Sequence, residues 1–318
     1  MWIEEYRPKS LKDVVGQDFI IERLTAFAKD LSKTPHLLFA GPAGVGKTSS
    51  AIALAREIFG NTFHENYKEL NASDERGIDM VRETVKKYAS IRPAGGMPFR
   101  ILVLDEADSM TPPAQQALRR TMEKYRTVRF ILIANYSSKI IPPIQSRCAV
   151  FRFGTIHKSL IEKKIREICS NENLIISDEA IEQLYEISNG DMRKLLNLMQ
   201  AATVLSNNIS EEVVLDVSGR ANPKQVNEML TLLRDHGTRG FFEARKKLRD
   251  LLYSVGISGQ DLITQIYSSI IKLSGFSDEH KVRIIEAIGD IDYRLTEGSS
   301  EEIQLVYLLA RISKILTS

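Results

Sequence analysis

The chain has 318 residues, 43% of them hydrophobic, and a formal net charge of +2. This length can bury more than one hydrophobic core, so we expect two or three domains. The N-terminus has no signal-peptide pattern, and no apolar stretch approaches the roughly 18 residues that cross a bilayer. Two cysteines, Cys148 and Cys169, are too few for a disulfide framework. We therefore expect a cytoplasmic protein with no membrane contact.

Charge is distributed unevenly along the chain. Residues 1–158 contain 24 Lys+Arg and 17 Asp+Glu (+7), whereas residues 159–318 contain 19 and 24 (−5). The two halves are expected to face different partners.

Short apolar runs in the first half predict five strands. In chain order they cover 36–40, 67–72, 100–105, 128–135 and 149–153. Helical patterns such as 47–59 and 78–90 separate them. Strands that alternate with helices indicate an α/β domain with a parallel sheet covered on both faces.

After Gly154 the apolar pattern becomes helical throughout. The predicted helices cover 157–171, 178–188, 191–205, 211–217, 223–236, 239–254, 259–273, 278–296 and 301–316. The segment SGRANP (218–223) is the best break between them. We therefore predict three domains: 1–158, a small helical domain 159–222, and an all-α domain 223–318.

The segment GPAGVGKT follows the first predicted strand and opens the next helix, which is the context of a P-loop. Its backbone N–H groups are expected to surround phosphate oxygens, with Lys47 reaching the β and γ phosphates and the Thr48 hydroxyl binding Mg²⁺. The alternative is an ordinary glycine-rich turn. The candidate nucleotide-binding residues are Gly41, Pro42, Ala43, Gly44, Val45, Gly46, Lys47, Thr48 and Ser49.

The strand RILVLDEAD ends in two acidic residues. Strand ends at the carboxyl edge of an open α/β sheet bind ligands. We expect Asp105 to hold Mg²⁺ through water and Glu106 to polarise the attacking water, which favours an ATPase over a small-molecule kinase. The alternative is a solvated strand end.

Two further polar residues are candidates for contact with the γ-phosphate. Asn135 closes VRFILIAN, and Arg193 lies in GDMRK at the start of a helix. The alternatives are an Asx turn for Asn135 and an exposed helix arginine for Arg193.

These motifs occur in an order that resembles the AAA+ ATPases. Together with WIEEYRPKSLKDVVGQ, NASDERGIDMVR and ALRRTMEKY, they resemble the clamp-loader family, most closely the small subunits of archaeal replication factor C. The absence of extra segments at either end also fits a small subunit. The resemblance implies a P-loop AAA+ domain with a five-stranded parallel sheet, a helical lid and an all-α collar for oligomerisation.

The same resemblance implies functional roles that spacing alone does not give. ATP with Mg²⁺ would lie between neighbouring subunits of a five-membered ring. Arg147 of the SRC motif would be an arginine finger that reaches the neighbour's γ-phosphate; its alternative is a structural salt bridge. Arg193 would sense the γ-phosphate. The adenine would be framed by Tyr6, Arg7, Pro8, Val14 and Val15.

Two basic windows indicate contact with nucleic acid. Residues 76–100 carry six basic side chains against two acidic ones, and residues 119–129 carry five against one. On a regular helix Arg82 and Lys86 share one face, which could follow duplex phosphates. Lys139 is a third candidate. The alternative is a solvated charged face.

The predicted function is a subunit of an ATP-dependent loader that opens a DNA sliding clamp and places it on primed template during replication. Its partners would be a replication factor C large subunit, other small subunits, the sliding clamp and primer-template duplex. The alternatives are a branch-migration-type AAA+ motor and a scaffold subunit that does not hydrolyse ATP.

Overall fold

A five-stranded parallel sheet forms the centre of the N-terminal part of the protein. The computed structural model describes residues 1–74 and 77–317. The strands are β1 His36–Ala40, β2 Tyr67–Asn71, β3 Arg100–Asp105, β4 Val128–Ala134 and β5 Cys148–Arg152. Their order is β2-β3-β4-β1-β5, and each adjacent pair is parallel. The predicted five-stranded parallel sheet is confirmed.

The sheet is buried on both faces, as its apolar sequence requires. Side chains alternate along β3, so Leu102 and Leu104 join one core while Ile101 and Val103 join the other. The edge strand β2 is more exposed. Polar side chains of the inner strands are therefore expected at the strand ends, where the sheet meets solvent.

Helices cover this sheet and continue beyond it. Their bounds are α1 Trp2–Glu5, α2 Asp18–Lys29, α3 Lys47–Phe59, α4 Phe63–Asn66, α5 Ile78–Met80, α6 Lys86–Ser90, α7 Pro112–Lys124, α8 Pro142–Gln145, α9 Lys158–Asn171, α10 Asp178–Ser188 and α11 Met192–Leu205.

One predicted helix of the first half is not regular. Residues 78–90 begin in α5 and end in α6, but Val81–Val85 between them is π-helical. A π turn takes more residues than an α turn. The segment predicted as helical is therefore helical but contains a π turn that the apolar pattern did not indicate.

The C-terminal part is helical. Its helices are α12 Glu211–Ser218, α13 Pro223–Arg249, α14 Gly259–Lys272, α15 Asp278–Thr296 and α16 Glu301–Thr317. The last four share a hydrophobic core. Gly237 interrupts α13 with non-helical backbone angles, at the gap between the predicted helices 223–236 and 239–254. Asp250–Ser254 is π-helical.

Two details differ from a purely helical second half. The two-residue strands β6 Ile175–Ile176 and β7 Asn208–Ile209 lie within it. Two residues carry too little pattern for a sequence to indicate a strand.

Contacts divide the chain into two compact units: Met1–Ile176 with Leu184–Val204, and Ser177–Gln183 with Leu205–Ser318. This division has two units and different boundaries, so the three predicted domains, 1–158, 159–222 and 223–318, stay a prediction. Across the described ranges 1–74 and 77–317, no helix combines the length and the apolar character needed to cross a membrane.

Candidate nucleotide-binding site

The P-loop joins β1 to α3 and is shaped by close backbone approaches. A Cβ on Gly41 would lie 2.2 Å from the carbonyl oxygen of Phe153. Gly44 has a φ of +67°, and a Cβ there would lie 1.7 Å from Oδ1 of Asp191. Only glycine fits at these two positions without displacing its neighbours.

Lys47 lies at the centre of the loop. Its Nζ donates to the carbonyl oxygens of Gly41 and Pro42, each at 2.6 Å, and to Oδ1 of Asn135 at 3.1 Å. Burial lowers the pKa of Lys47, and the Asp105 carboxylate opposes that shift. The ammonium group is thus held among acceptors where the phosphate chain of a nucleotide would pass.

The two predicted metal ligands are in contact. Oγ1 of Thr48 donates to Oδ2 of Asp105 at 2.8 Å, while Oδ1 of Asp105 accepts from the backbone N–H of Glu106 at 2.8 Å. Glu106 has left-handed backbone angles, with a φ of +52°. Such a conformation is unfavourable for a residue other than glycine and is found frequently at functional sites.

Asn135 follows β4 and is held by a residue that the sequence analysis did not single out. Oδ2 of Asp108 accepts from the backbone N–H groups of Asn135 and Tyr136, each at 3.2 Å. Asp108 is the last acidic residue of the DEAD segment, which was the available signal for it. It fixes the position of Asn135 beside Lys47.

Arg193 reaches the site from the start of α11. Asp191 caps this helix by accepting from the backbone N–H groups of Arg193 at 2.8 Å and Lys194 at 3.1 Å. The backbone N–H of Met192 donates to the carbonyl oxygen of Gly44 at 3.1 Å. The start of α11 therefore lies directly against the P-loop.

One cavity collects most of the predicted site. Its lining includes Tyr6, Arg7, Val14, Val15, Ala43, Gly44, Val45, Gly46, Lys47, Thr48, Ser49, Asp105, Glu106, Asn135 and Arg193. Gly41 and Pro42 are not in the lining but provide the carbonyl oxygens that hold Lys47. Phosphate-binding and base-framing candidates thus face the same space.

The cavity has further walls that the sequence did not indicate. Ile3, Asp13, Ile156, Lys164, Met192 and Leu196 also line it. They come from segments far apart in the chain. Ile3 and Asp13 lie within WIEEYRPKSLKDVVGQ and Met192 within GDMRK, but neither pattern predicts a role for these positions. Only the fold brings them together.

Arg147 lies outside this cavity, in the turn between α8 and β5. Its guanidinium donates to Oε1 of Glu123 at 2.5 Å and to the carbonyl oxygen of Pro143 at 2.7 Å. Its side chain is 37% exposed. Within one chain, Arg147 therefore takes part in a surface ion pair.

The predicted DNA-binding residues are exposed. Arg82 and Lys86 lie on either side of the junction between the π turn and α6, and Arg82 is 3.9 Å from an oxygen of Asp79. Lys139 is exposed and lies with Nζ 5.2 Å from the centre of the Tyr136 ring. Arg76, part of the same basic window, lies outside the described residues.

Family models match three consecutive parts of the chain. Residues 37–155 match the ATPase family associated with various cellular activities (AAA). Residues 159–214 match the RFC1-like AAA+ ATPase lid domain, and residues 221–311 match the replication factor C C-terminal domain. The chain thus has an AAA ATPase domain, a lid and a helical C-terminal domain, as predicted.

Solved structures show the same fold at low sequence identity. The Thermotoga maritima RuvB Holliday junction branch migration motor matches with a TM-score of 0.54 at 19% identity, over 84% of this chain and 91% of that chain. At this identity the likeness extends to the fold alone.

Curated relatives are much more similar in sequence. The replication factor C small subunit of Thermofilum pendens is 48% identical over 99% of this chain and 97% of the relative. That of Archaeoglobus fulgidus is 45% identical over 99% and 98%. Such identity over nearly full length, with the three matching domain models, shows that the chain belongs to the family of archaeal replication factor C small subunits.

Proposed function

We propose that this protein is an ATP-hydrolysing subunit of a loader that opens a DNA sliding clamp and places it on primed template. One observation carries the proposal. A single cavity combines the P-loop, the Asp105–Glu106 pair, Asn135 and Arg193 in a chain of the replication factor C small-subunit family. This set provides the groups that a phosphoryl-transfer site needs.

Each residue has a proposed part in hydrolysis. Lys47 binds the β and γ phosphates, and Glu106 polarises the attacking water. Asn135 orients that water, and Arg193 contacts the γ-phosphate. Tyr6, Arg7, Val14 and Val15 frame the adenine at the other end of the cavity.

Thr48 and Asp105 are proposed to hold Mg²⁺. A hydroxyl and a carboxylate oxygen 2.8 Å apart suit this ion, which binds oxygen ligands and retains several waters. When bound, Mg²⁺ would offset negative charge on the phosphate oxygens.

We propose that Arg147 completes a neighbour's site. Its only described carboxylate partner within 4 Å is Glu123, and an exposed ion pair of this kind contributes little stability, typically below about 1 kcal/mol. The guanidinium can therefore exchange Glu123 for a phosphate at little cost.

Matched variants separate the trans role from the structural salt bridge. If Arg147 is a finger, Arg147→Ala lowers ATPase activity of the assembled ring by roughly 10³-fold, while Glu123→Ala leaves it within about twofold. Mixing Arg147→Ala with Lys47→Ala subunits should restore part of the activity. Equal effects of the two alanine variants, without restoration on mixing, would support the salt bridge instead.

We propose that Arg82, Lys86 and Lys139 contact duplex phosphates. Replacing Arg82 and Lys86 by alanine should reduce the slope of log affinity against log salt by roughly 2, because each phosphate contact contributes about 0.9. The matched control is Lys29→Ala with Lys33→Ala, two exposed lysines elsewhere in the same unit. An unchanged slope would reject this face.

The proposed partners are a replication factor C large subunit, further small subunits in a five-membered ring, the sliding clamp and primer-template duplex. The proposed division of labour assigns 1–158 to ATP binding, 159–222 to the lid and 223–318 to oligomerisation.

The direct test of the whole function is ATPase activity with and without primed duplex and clamp. Strong stimulation by both together supports a loader. A branch-migration motor would hydrolyse ATP on DNA without any clamp, and a scaffold subunit would show no turnover. Residues 210–317 carry no strand in the structure, so the strand pair of a winged-helix domain, expected of such a motor, is not found in that range.

A further inference from the structure

The N-terminal segment forms one wall of the cavity and is anchored away from it. Tyr6, Arg7 and Pro8 line the cavity. Four residues earlier, Trp2 is 8% exposed, and its backbone N–H donates to Oε1 of Gln200 on α11 at 3.1 Å. The same helix carries Arg193 and Leu196, which also line the cavity.

The second anchor is a side-chain hydrogen bond to the end of α9. The hydroxyl of Tyr6 donates to Oε1 of Glu172, the residue that follows α9, at 2.5 Å. Burial and the neighbouring Glu172 carboxylate raise the pKa of Tyr6 to about 12, so the phenol remains a proton donor at neutral pH. A hydrogen bond to an ionised acceptor is roughly twice as strong as a neutral one.

The aromatic rings connect the two anchors. Trp2 and Tyr6 pack edge to face with their centres 5.9 Å apart, and Nζ of Lys164 on α9 lies 5.9 Å from the centre of the Tyr6 ring. The segment is therefore fixed to α9 and α11, and the position of the wall depends on both helices.

We infer that Glu172 is a positioning residue for the nucleoside end of the site: through Tyr6 it holds residues 6–8 where the base and ribose bind. The inference rests on the proposed ATP site. Glu172 is not in the cavity lining, so its effect on a ligand is transmitted by Tyr6. The P-loop has its own hydrogen bonds and does not depend on this contact.

The separation between the two ends of the site gives a selective test. Binding of ATP and of inorganic tripolyphosphate, which has no base or ribose, is measured for the full chain by calorimetry. Tyr6→Phe and Glu172→Ala should each weaken ATP binding about tenfold, the effect of losing one charge-assisted hydrogen bond. Tripolyphosphate binding should stay within about twofold of the unaltered protein.

Further variants distinguish positioning from general damage to the fold. Glu172→Gln retains an acceptor oxygen and should recover most of the ATP affinity. The double variant Tyr6→Phe with Glu172→Ala should be no weaker than either single variant, because both remove the same bond. The matched control is Glu162→Ala, which removes an exposed carboxylate paired with Arg166 on α9.

The outcomes separate this inference from the proposed function. ATP affinity of Glu172→Ala equal to that of the control, or equal weakening of ATP and tripolyphosphate, would overturn the inference. If Lys47→Ala loses ATP binding while Glu172→Ala binds ATP as tightly as the unaltered protein, the role of Glu172 is rejected and the ATP site stands. Unchanged ATP binding in Lys47→Ala would reject the ATP site itself.

Discussion

The two ends of the central sheet both carry polar residues, but those residues have different kinds of partner. At the carboxyl end, Thr48, Asp105 and Asn135 bond mainly to other functional side chains and leave acceptors and donors facing a cavity. At the amino end, the guanidinium of Arg100 donates to the carbonyl oxygens of Glu65 and Tyr88.

Other side chains at the amino end of the sheet also form hydrogen bonds with backbone groups. Nδ1 of His36 accepts from the backbone N–H of Phe130 at 3.1 Å, and Arg129 donates to the carbonyl oxygens of Thr34 and Arg126. These side chains complete the hydrogen bonding of nearby backbone. We therefore expect changes at the carboxyl end to affect activity and changes at the amino end to affect stability.

The largest expected effect is on activity. Lys47→Ala should lower ATP hydrolysis by at least about 10²-fold, because it removes the charge nearest the phosphates. Its unfolding free energy, measured by urea denaturation, should fall by no more than about 2 kcal/mol, the cost of leaving the carbonyl oxygens of Gly41 and Pro42 without their donor. The control is Lys29→Ala on the exposed surface of α2. Retained hydrolysis would mean that the carboxyl end is structural too.

The next effect is a pH dependence of stability at the amino end. Burial and the charge of Arg129 lower the pKa of His36 from 6.5 to about 4. Above pH 6.5 the imidazole is neutral in both states, and its contribution is complete. As the pH falls towards 4, the unfolded chain binds a proton at His36 that the folded chain does not bind. The free energy of unfolding therefore falls by about 3 kcal/mol.

Urea denaturation between pH 7 and pH 4 tests this dependence. His36→Phe should unfold at lower urea concentration at pH 7 but lose less stability on acidification. His64→Phe, at an exposed position, should lose as much stability between pH 7 and pH 4 as the unaltered protein does. Identical pH profiles for both variants would contradict the prediction.

The smallest effect is expected for Arg100. Its guanidinium lies 3.9 Å from the centre of the Tyr88 ring. Arg100→Met keeps most of the apolar stem but leaves two carbonyl oxygens without their donor, so the unfolding free energy should fall by about 2 kcal/mol. ATP affinity should remain within about twofold. Weaker ATP binding at unchanged stability would remove the distinction between the two ends.

The sequence predicted the carboxyl end well, since motif spacing there reflects local geometry. The P-loop must join a strand to a helix, and Asp105 and Asn135 must close buried strands, so their convergence follows from the parallel sheet. The predicted strands agree with the structure to within one residue at each end.

Contacts between distant segments could not be predicted in this way. Lys164 in the cavity wall and Glu172 behind Tyr6 are charged residues on or beside a helix, where charge is usual. Asp108 lies in the DEAD segment, but nothing in its spacing shows that it bonds to the backbone of Asn135. The π turn at Val81–Val85 was missed for another reason. A single extra residue in a turn changes the apolar pattern of a short helix very little.

The contact between Gly44 and Asp191 has a mechanical consequence. The 14-residue helix α11 begins against the P-loop and is about 21 Å long at 1.5 Å per residue. A tilt of about 5° at its first turn would displace its last turn by about 2 Å, as at the end of a lever. A small shift of the loop around phosphate would thereby be amplified at a distance from the nucleotide.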